Sequence, residues 1–287
     1  MTDEGLSPTA RNIPLPMQRE IRQRCGFGCV VCGLPLYDYD HLLGWATVQR
    51  HAAEEITLLC SQHHREKGAG LLPAATVDAA NRNPYNLRAG ISKPYDLHYS
   101  GDECEVVLGG NTFSAKDGGY GTVLLPVSVD DTPLLAFILG DGHLMLSLNL
   151  FDQYNNLVLQ IKNNQLVQAI SPWDIQLIGR RLVVREAERK ILVDITFEPP
   201  GRIIVRRGRF LRNGVEILIR PERIVVANNG ATFAGTRMRN WPAGVLIGPH
   251  QQPMSAIVRI KDVPRYHHDG KLTEQWVADV FDCQGPA

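Results

Sequence analysis

Two pairs of potential metal ligands, Cys29 with Cys32 and Cys60 with His63, have the same internal spacing of two intervening residues. Such a turn can present two ligand atoms to one face of a tetrahedral Zn²⁺, and zinc accepts both thiolate sulfur and imidazole nitrogen. Four protein ligands close the coordination sphere, so the sequence predicts a structural zinc site that takes no part in catalysis. Cys25 is an alternative to Cys29, although its spacing from Cys32 suits a zinc knuckle less well.

A second group of side chains lies among these ligands and has the types needed for hydrolysis. Asp40 and His41 are adjacent between the two pairs, and His64 follows the second pair directly. We expect Asp40 and His64 to hold one catalytic divalent ion, Mg²⁺ or Mn²⁺, with positions left for a phosphate oxygen. A neutral His41 would then take a proton from water as general base.

The elements around these residues determine whether they can meet. Residues 17–24 have helix-forming side chains and are followed by glycines that end a helix. The aromatic and apolar stretch 36–43 has strand character, and apolar residues precede Cys60. A helix is expected to begin at or after Cys60 and to end at Gly68. A zinc-stabilised ββα unit of this kind would bring Asp40, His41 and His64 together.

At these residues the sequence resembles the zinc-containing HNH endonuclease family, over residues 17–70, roughly a quarter of the chain. The matching residues are Cys29-x-x-Cys32, Asp40-His41 and Leu59-Cys60-x-x-His63-His64-x-x-Lys67. The resemblance implies a ββα-metal fold and metal-dependent hydrolysis of phosphodiester bonds in DNA. It also implies that His41 is the general base, that Asp40 and His64 bind the catalytic ion, and that Cys29, Cys32, Cys60 and His63 bind structural zinc.

The chain departs from the family pattern at two positions. His63 stands where the family has a cysteine, a change that zinc accepts readily. Glu55 stands where the family has an asparagine that steadies the loop of the general base. A carboxylate accepts hydrogen bonds but cannot donate as an amide does, so Glu55 replaces half of that role or serves as an extra metal ligand. His51 is an alternative replacement, and a degenerate module that binds nucleic acid without cutting it remains a second interpretation.

Basic residues near the module are the expected contacts for nucleic acid. Arg22 and Arg24 lie on the predicted first helix, and Arg65 and Lys67 lie on the last one. Residues 180–223 hold twelve Arg or Lys against six Asp or Glu, an excess of six positive charges that could track phosphates. The alternative in both places is a solvated surface, because half-buried strands and helices commonly expose charged side chains.

The rest of the chain divides by composition. We expect a mobile arm over residues 1–16, a linker over 71–101 with a short helix near 76–81, and an all-β domain over 102–287. The β prediction rests on period-2 alternation of apolar residues, as in Leu144, Leu146, Leu148 and Leu150, and on turn signals such as Asn213-Gly214. The fold class is therefore α+β, with the second domain either a sandwich or a stacked, solenoid-like sheet.

Composition limits the class of protein. The formal net charge is zero and the apolar fraction is 44%, which favours a globular protein over a disordered or fibrous one. No apolar run reaches the roughly 20 residues of a membrane span, and no signal peptide is recognisable, so we expect a cytoplasmic location. The β domain could target, regulate or assemble the nuclease, or act as a ligand sensor or oligomerisation platform with the nuclease as its output. DNA is the expected partner, RNA is an alternative, and a homo-oligomer remains open.

Overall fold

The computed structural model describes residues 12–119, 121–169, 173–251 and 254–266. Most of the arm predicted over residues 1–16 lies outside these ranges, as does the histidine pair at 267–268. The last residues of that predicted arm are helical, because the first helix, α1, spans Leu15–Arg24. Pro16 fits its first turn, where a missing backbone N–H costs nothing.

The predicted zinc ligands and the Asp-His pair lie in a small N-terminal module. After α1 it contains β1 (Asp38–His41), a one-turn helix α2 (Trp45–Val48), a 3-10 turn (Ala53–Glu55), β2 (Ile56–Leu59) and α3 (Ser61–Gly68). Strands β1 and β2 are antiparallel, and α3 contacts both of them. The strand expected within 36–43 and the helix expected between Cys60 and Gly68 are thus both present.

Part of the segment expected as a linker, residues 71–101, is helical and packs with the module. Two helices lie there, α4 (Ala74–Arg82) and α5 (Tyr85–Ala89), and α4 contains the short helix expected near 76–81. Pro73 and Pro84 immediately precede the two helices, so they start helices instead of marking an irregular stretch. Val77 is fully buried in the same apolar cluster as Ile21 and Leu58, which makes α4 part of the module core.

The remainder of the chain forms two sheets, the first with eight strands. Its members are β3 (Leu97–His98), β6 (Thr122–Val129), β7 (Thr132–Gly140), β8 (His143–Phe151), β9 (Leu157–Lys162), β10 (Gln165–Ala169), β19 (Ala243–Ile247) and β20 (Ala256–Ile260). The order across this sheet is β10-β9-β8-β7-β6-β19-β20, with β3 added beside β8. Neighbours are antiparallel except at β19, which runs parallel to both β6 and β20.

The second sheet has ten strands. Its members are β4 (Glu103–Leu108), β5 (Asn111–Lys116), β11 (Asp174–Ile178), β12 (Arg181–Ala187), β13 (Lys190–Glu198), β14 (Arg202–Arg212), β15 (Val215–Ile219), β16 (Ile224–Val226), β17 (Ala231–Phe233) and β18 (Arg237–Met238). Its first two, β4 and β5, lie in sequence between β3 and β6 of the first sheet. The consecutive strands β11 to β17 form an antiparallel meander. Strand β4 joins it parallel to the first part of β14, and β5 and β18 extend that edge.

The two sheets share one apolar core, so the β domain is a sandwich, the first of the two predicted architectures. Phe137 of the eight-stranded sheet and Phe113 and Phe210 of the ten-stranded sheet are all at most 1% exposed and belong to one cluster. The alternation seen in the sequence explains this core, because every second residue of β8 is buried between the sheets. Several hairpins turn at Asn or Asp with positive φ, as at Asn213, which these short side chains tolerate.

An ion pair at one end of the sandwich joins both sheets to the last described segment. Asp130, in the turn between β6 and β7, accepts hydrogen bonds from Arg265 Nη1 and Nη2 at 2.6 and 2.7 Å. It also accepts one from Asn213 Nδ2 at 2.7 Å, and Asn213 lies in the turn between β14 and β15. Partial burial alone would raise the pKa of Asp130, but the hydrogen bonds from Arg265 and Asn213 outweigh it and hold that pKa below its usual value.

We therefore expect Asp130→Asn to destabilise the β domain near neutral pH. Asparagine tolerates the positive φ of 49° at this position, so the variant removes the charge without adding backbone strain. Because the folded pKa of Asp130 is depressed, its stabilisation is present above the unfolded value of about 3.9 and is lost as pH falls through the folded value. Urea unfolding of both proteins at neutral and at strongly acidic pH measures this. A difference in stability that persists unchanged in acid would contradict the assignment.

Candidate metal centre

The four predicted zinc ligands converge in the structure. The ligand atoms of Cys29, Cys32, Cys60 and His63 all lie within 4.8 Å of one another. His63 Nδ1 is 3.4 Å from Cys29 Sγ and 3.2 Å from Cys60 Sγ, and the Sγ atoms of Cys32 and Cys60 are 3.9 Å apart. These residues come from two segments that are distant in sequence, so the fold brings both predicted half-sites to one point.

The separations fit a tetrahedral zinc ion. Bond lengths of about 2.3 Å to sulfur and 2.0 to 2.1 Å to nitrogen place neighbouring ligands roughly 3.5 to 3.8 Å apart. The separation of 3.9 Å between the sulfurs of Cys32 and Cys60 is far too long for a disulfide. The four cysteines of the module, Cys25, Cys29, Cys32 and Cys60, are all free thiols. The cluster can therefore hold a structural metal ion, as the spacing predicts.

Local backbone geometry explains how the first pair forms. Gly33 N donates to Cys29 O at 2.7 Å, which closes the turn that carries both sulfurs. Gly33 has φ of 78°, and a Cβ atom there would lie 2.3 Å from Asn86 Oδ1 of α5. Glycine is thus required both by the left-handed backbone and by the close packing of α5 against the turn.

The second pair is positioned by helix α3. Cys60 precedes the helix, and its carbonyl oxygen accepts a hydrogen bond from His64 N at 2.9 Å. One turn of helix therefore places His63 beside Cys60, with its side chain 15% exposed. Cys29 and Cys60 are 0% and 3% exposed, which fits a site closed to solvent.

The thiols of Cys29 and Cys32 change each other's pKa, because their sulfurs lie close together. A hydrogen bond from the Cys32 thiol lowers the pKa of Cys29 to about 4. The same hydrogen bond raises the pKa of Cys32, because the donor proton must be removed. A bound cation would relieve this competition by stabilising both thiolates.

Cys25 is not part of the cluster, so the alternative ligand can be set aside. Its side chain is fully buried, and its sulfur lies 4.0 Å from Asn81 Oδ1 of α4. Burial raises the pKa of the Cys25 thiol, which suits a small apolar core residue better than a metal ligand.

Asp40 and His64, the predicted ligands of a catalytic ion, also meet. His64 Nε2 lies 3.3 Å from Asp40 Oδ1. The Asp40 side chain is 10% exposed and that of His64 is 51% exposed, so the pair opens to solvent on one side. Within the described ranges no third Cys, His, Asp or Glu joins them in a cluster. Two protein ligands suit Mg²⁺, which keeps several waters or phosphate oxygens, but they do not by themselves define an ion site.

Lys67 occupies the other side of Asp40. Its ammonium group donates to Asp40 Oδ2, and to the carbonyl oxygen of His41 at 2.7 Å. The Lys67 side chain is only 14% exposed, so this predicted nucleic-acid contact is also a structural partner of the Asp-His pair.

His41 forms a small aromatic group with His51 and Trp45. His41 Nε2 is 3.2 Å from His51 Nδ1, and the rings of His51 and Trp45 stack with their centroids 4.8 Å apart. Burial, and then the neighbouring His51, hold the pKa of His41 below its usual value. His41 is therefore kept neutral, the state that a general base needs.

Glu55 points toward a residue that the sequence did not single out. Its carboxylate pairs with Arg50, whose Nε donates to Glu55 Oε2 at 3.3 Å, while Nη2 donates to Oε1. The Glu55 backbone carbonyl accepts from Leu42 N at 2.9 Å, which ties the chain after β1 to the start of β2. Glu55 is not part of the metal cluster, so its proposed use as an extra ligand gains no support.

The predicted nucleic-acid contacts differ in their availability. Arg65 is exposed, whereas Arg22 is 2% exposed and its guanidinium is held by Asp174. Arg24 donates to Asn81 and to two backbone carbonyl oxygens of the module. The expectation that Arg22 meets phosphate is therefore corrected, because its charge is inside the protein.

The basic surface expected over residues 180–223 is partly neutralised. Bonded Arg-carboxylate pairs of this stretch are Arg181 with Asp194, Arg202 with Glu105 and Glu198, and Arg209 with Glu216 and Glu186. Each of these arginines has at least one carboxylate partner on a neighbouring strand, as the alternative interpretation of a solvated sheet face predicts. A role in tracking phosphates remains a prediction.

Comparison with protein-family models, with curated proteins and with solved structures finds no match to this chain. Among the helices in the described ranges, none is long and apolar enough to cross a bilayer.

Proposed function

We propose that the N-terminal module is a metal-dependent endonuclease of the HNH type that hydrolyses phosphodiester bonds in DNA. The β domain would then serve its targeting, regulation or assembly. One observation carries the proposal: Asp40 Oδ1 and His64 Nε2 lie 3.3 Å apart, and both residues are next in sequence to a functional candidate, His41 after Asp40 and the zinc ligand His63 before His64. Asp40 of β1 and His64 of α3, the two ion ligands that the resemblance implies, are thus neighbours in space.

Each residue has a distinct part in this proposal. Asp40 and His64 would hold Mg²⁺ or Mn²⁺, which would stabilise the charge that develops on the phosphate. His41 accepts the proton of the attacking water, and its contact with His51 gives that proton a route toward solvent. Cys29, Cys32, Cys60 and His63 would hold structural zinc and so fix the start of α3 against the turn that precedes β1.

A second candidate is a zinc module that binds nucleic acid without cutting it. It is favoured by Lys67, whose ammonium group already neutralises Asp40 where a catalytic cation would be needed. Glu55 supports it as well, because its carboxylate is held by Arg50 and is not free to steady the loop of His41.

DNA cleavage by the full chain separates the two candidates. Supercoiled and linear DNA, and single-stranded RNA, are incubated with the zinc-loaded protein and Mg²⁺ or Mn²⁺. The nuclease proposal expects nicked or cut product only with the added ion, and loss of product in Asp40→Ala and His64→Ala. His143→Ala is the matched control, because His143 is an exposed histidine of β8 outside the module. Binding without cleavage under every condition would favour the second candidate, and absence of both would overturn the two together.

A further inference from the structure

A buried ion pair joins the module to the β domain. Arg22 of α1 and Asp174 of β11 have side chains that are 3% and 4% exposed. Arg22 Nε donates to Asp174 Oδ1 at 2.8 Å and Nη2 donates to Oδ2 at 2.7 Å, so the contact is bidentate. An arginine this deeply buried requires a carboxylate, because an unpaired charge in the interior is strongly unfavourable.

The guanidinium of Arg22 has a partner at every nitrogen. With its amide oxygen turned toward the guanidinium, Gln176 accepts from Nη1 at 3.1 Å and from Nη2 at 2.7 Å. Nη1 also donates to the hydroxyl oxygen of Tyr39. Burial alone would lower the pKa of Arg22, but the hydrogen bonds and charge of Asp174 outweigh it and raise that pKa. Arg22 is thus a fixed cation held between two residues of β11 and one residue of β1.

Further contacts hold the same two segments together. Gln23 Nε2 donates to the carbonyl oxygen of Trp173 at 2.6 Å. The guanidinium carbon of Arg19 lies 3.8 Å from the centroid of the Trp173 ring. Three side chains of α1 therefore engage the start of β11, which makes this a defined docking point between the module and the β domain.

Tyr39 connects this docking point to the proposed catalytic face. Tyr39 and Asp40 are adjacent in β1, and successive side chains of a strand point to opposite faces. On one face Tyr39 meets Arg22, and on the other Asp40 meets His64 and Lys67 of α3. Strand β1 is thus held between the β domain on one side and the carboxylate-histidine pair on the other.

We infer that Asp174 of the β domain is a positioning residue for the proposed cleavage site, acting through Arg22 and Tyr39 on strand β1. The β domain then acts on the chemistry indirectly, because it fixes the strand that carries Asp40 and His41. This inference rests on the proposed nuclease function for its effect on rate. Its structural part, the placement of β1 by Asp174, does not depend on that function.

The test compares Asp174→Asn with the wild-type protein in the full, zinc-loaded chain. Asparagine keeps the shape of aspartate and removes the charge that Arg22 needs. We expect kcat for DNA cleavage to fall about a hundredfold, the size expected when reacting groups are misplaced by roughly 1 Å. The KM for DNA and the zinc content should stay unchanged. The NMR signals of the Tyr39 and Asp40 amides and of the His41 ring should shift.

Asp194→Asn is the matched control. Asp194 lies in the same sheet, its side chain is 3% exposed, and it accepts two hydrogen bonds of 2.7 Å from Arg181. This variant should leave kcat and the signals of β1 unchanged. An equal loss of kcat in both variants would point to general destabilisation and overturn the inference, as would unshifted β1 signals in Asp174→Asn.

If the wild-type protein cuts no DNA, the proposed function fails while the NMR comparison still decides whether Asp174 places β1. If Asp174→Asn does not fold, the double variant Arg22→Met with Asp174→Leu removes both charges together, a change that buried pairs often tolerate. It should fold with zinc bound and still show shifted β1 signals and reduced kcat, because Tyr39 has lost the hydrogen bond from Arg22 and keeps the one that it donates to Gln18 O at 3.3 Å. Native signals in that variant would overturn the inference.

Discussion

Replacing Cys29 with serine is expected to unfold the N-terminal module while the β sandwich stays folded. A serine hydroxyl does not replace a thiolate as a zinc ligand, and structural zinc contributes its binding free energy directly to folding, about 10 to 16 kcal/mol in small zinc-finger peptides. The module has a small apolar core of its own around Ile21 and Leu58, so loss of the ion removes its main support. The β domain has a separate and larger core, which contains no residue of the cluster.

Metal analysis and hydrogen exchange measure this result. The wild-type protein should contain one zinc per chain, and Cys29→Ser should contain none and lose amide protection from α1 to α5 alone. Cys25→Ser and Cys104→Ser are the controls, because both cysteines are buried but lie outside the cluster. They should keep the zinc. A wild-type protein without bound metal, or a Cys29→Ser module that remains protected, would disprove the structural zinc site.

The Cys3His cluster, which can hold a structural metal ion, was predictable because its signal is local. Each half-site needs only a tight turn and two ligands at fixed spacing, and both half-sites, at Cys29 and at Cys60, carry that signal in a few residues. The all-β character of the second domain was predictable for a similar reason, since alternation along β8 indicates which side chains face the core. The choice between a sandwich and a stacked sheet needed the structure, because alternation does not reveal which strands pair.

The connection between the two domains left no such signal. Arg22 and Asp174 are 152 positions apart, and the sequence around Arg22 has the pattern of an ordinary solvated helix. Its burial follows from the docking of α1 on β11, which is a tertiary contact. Helix α4 was expected only as a short helix near 76–81, and α5 was missed, because both are short, begin after prolines and gain their stability from packing on the module.

The candidate site was predictable in its composition but not in its details. The order of Asp40, His41 and His64 in the sequence suggested that they meet, and the 3.3 Å contact between Asp40 and His64 agrees with it. The partners of Glu55 and His51 could not be read from the sequence, because both lie in the irregular segment between β1 and β2. His51 of that segment contacts the His41 ring. The effect of Glu55 on the proposed general base is therefore measured by the rate of DNA cleavage.

Replacing His41 with alanine is expected to reduce DNA cleavage by about 10² to 10⁴-fold, the contribution usual for a positioned general base. The zinc content and the fold should remain, because His41 is not a ligand of the Cys3His cluster. His51→Ala should have a smaller effect, since His51 contacts His41 Nε2 and would act only by orienting the ring or relaying its proton. Cleavage rates with saturating Mn²⁺, measured beside His143→Ala as the control, give this order directly.

The relative losses of cleavage rate in His41→Ala and His51→Ala identify the general base. If His51→Ala abolishes cleavage and His41→Ala does not, the general base is His51 and the assignment of that role to His41 is wrong. If neither variant changes the rate of an active protein, the Asp40–His64 site is not where the bond is cut, whatever its geometry. A large loss in His41→Ala with retained zinc would separate the chemistry of β1 from the structural role of the neighbouring cysteines, because the two groups of residues share only the short elements that hold them.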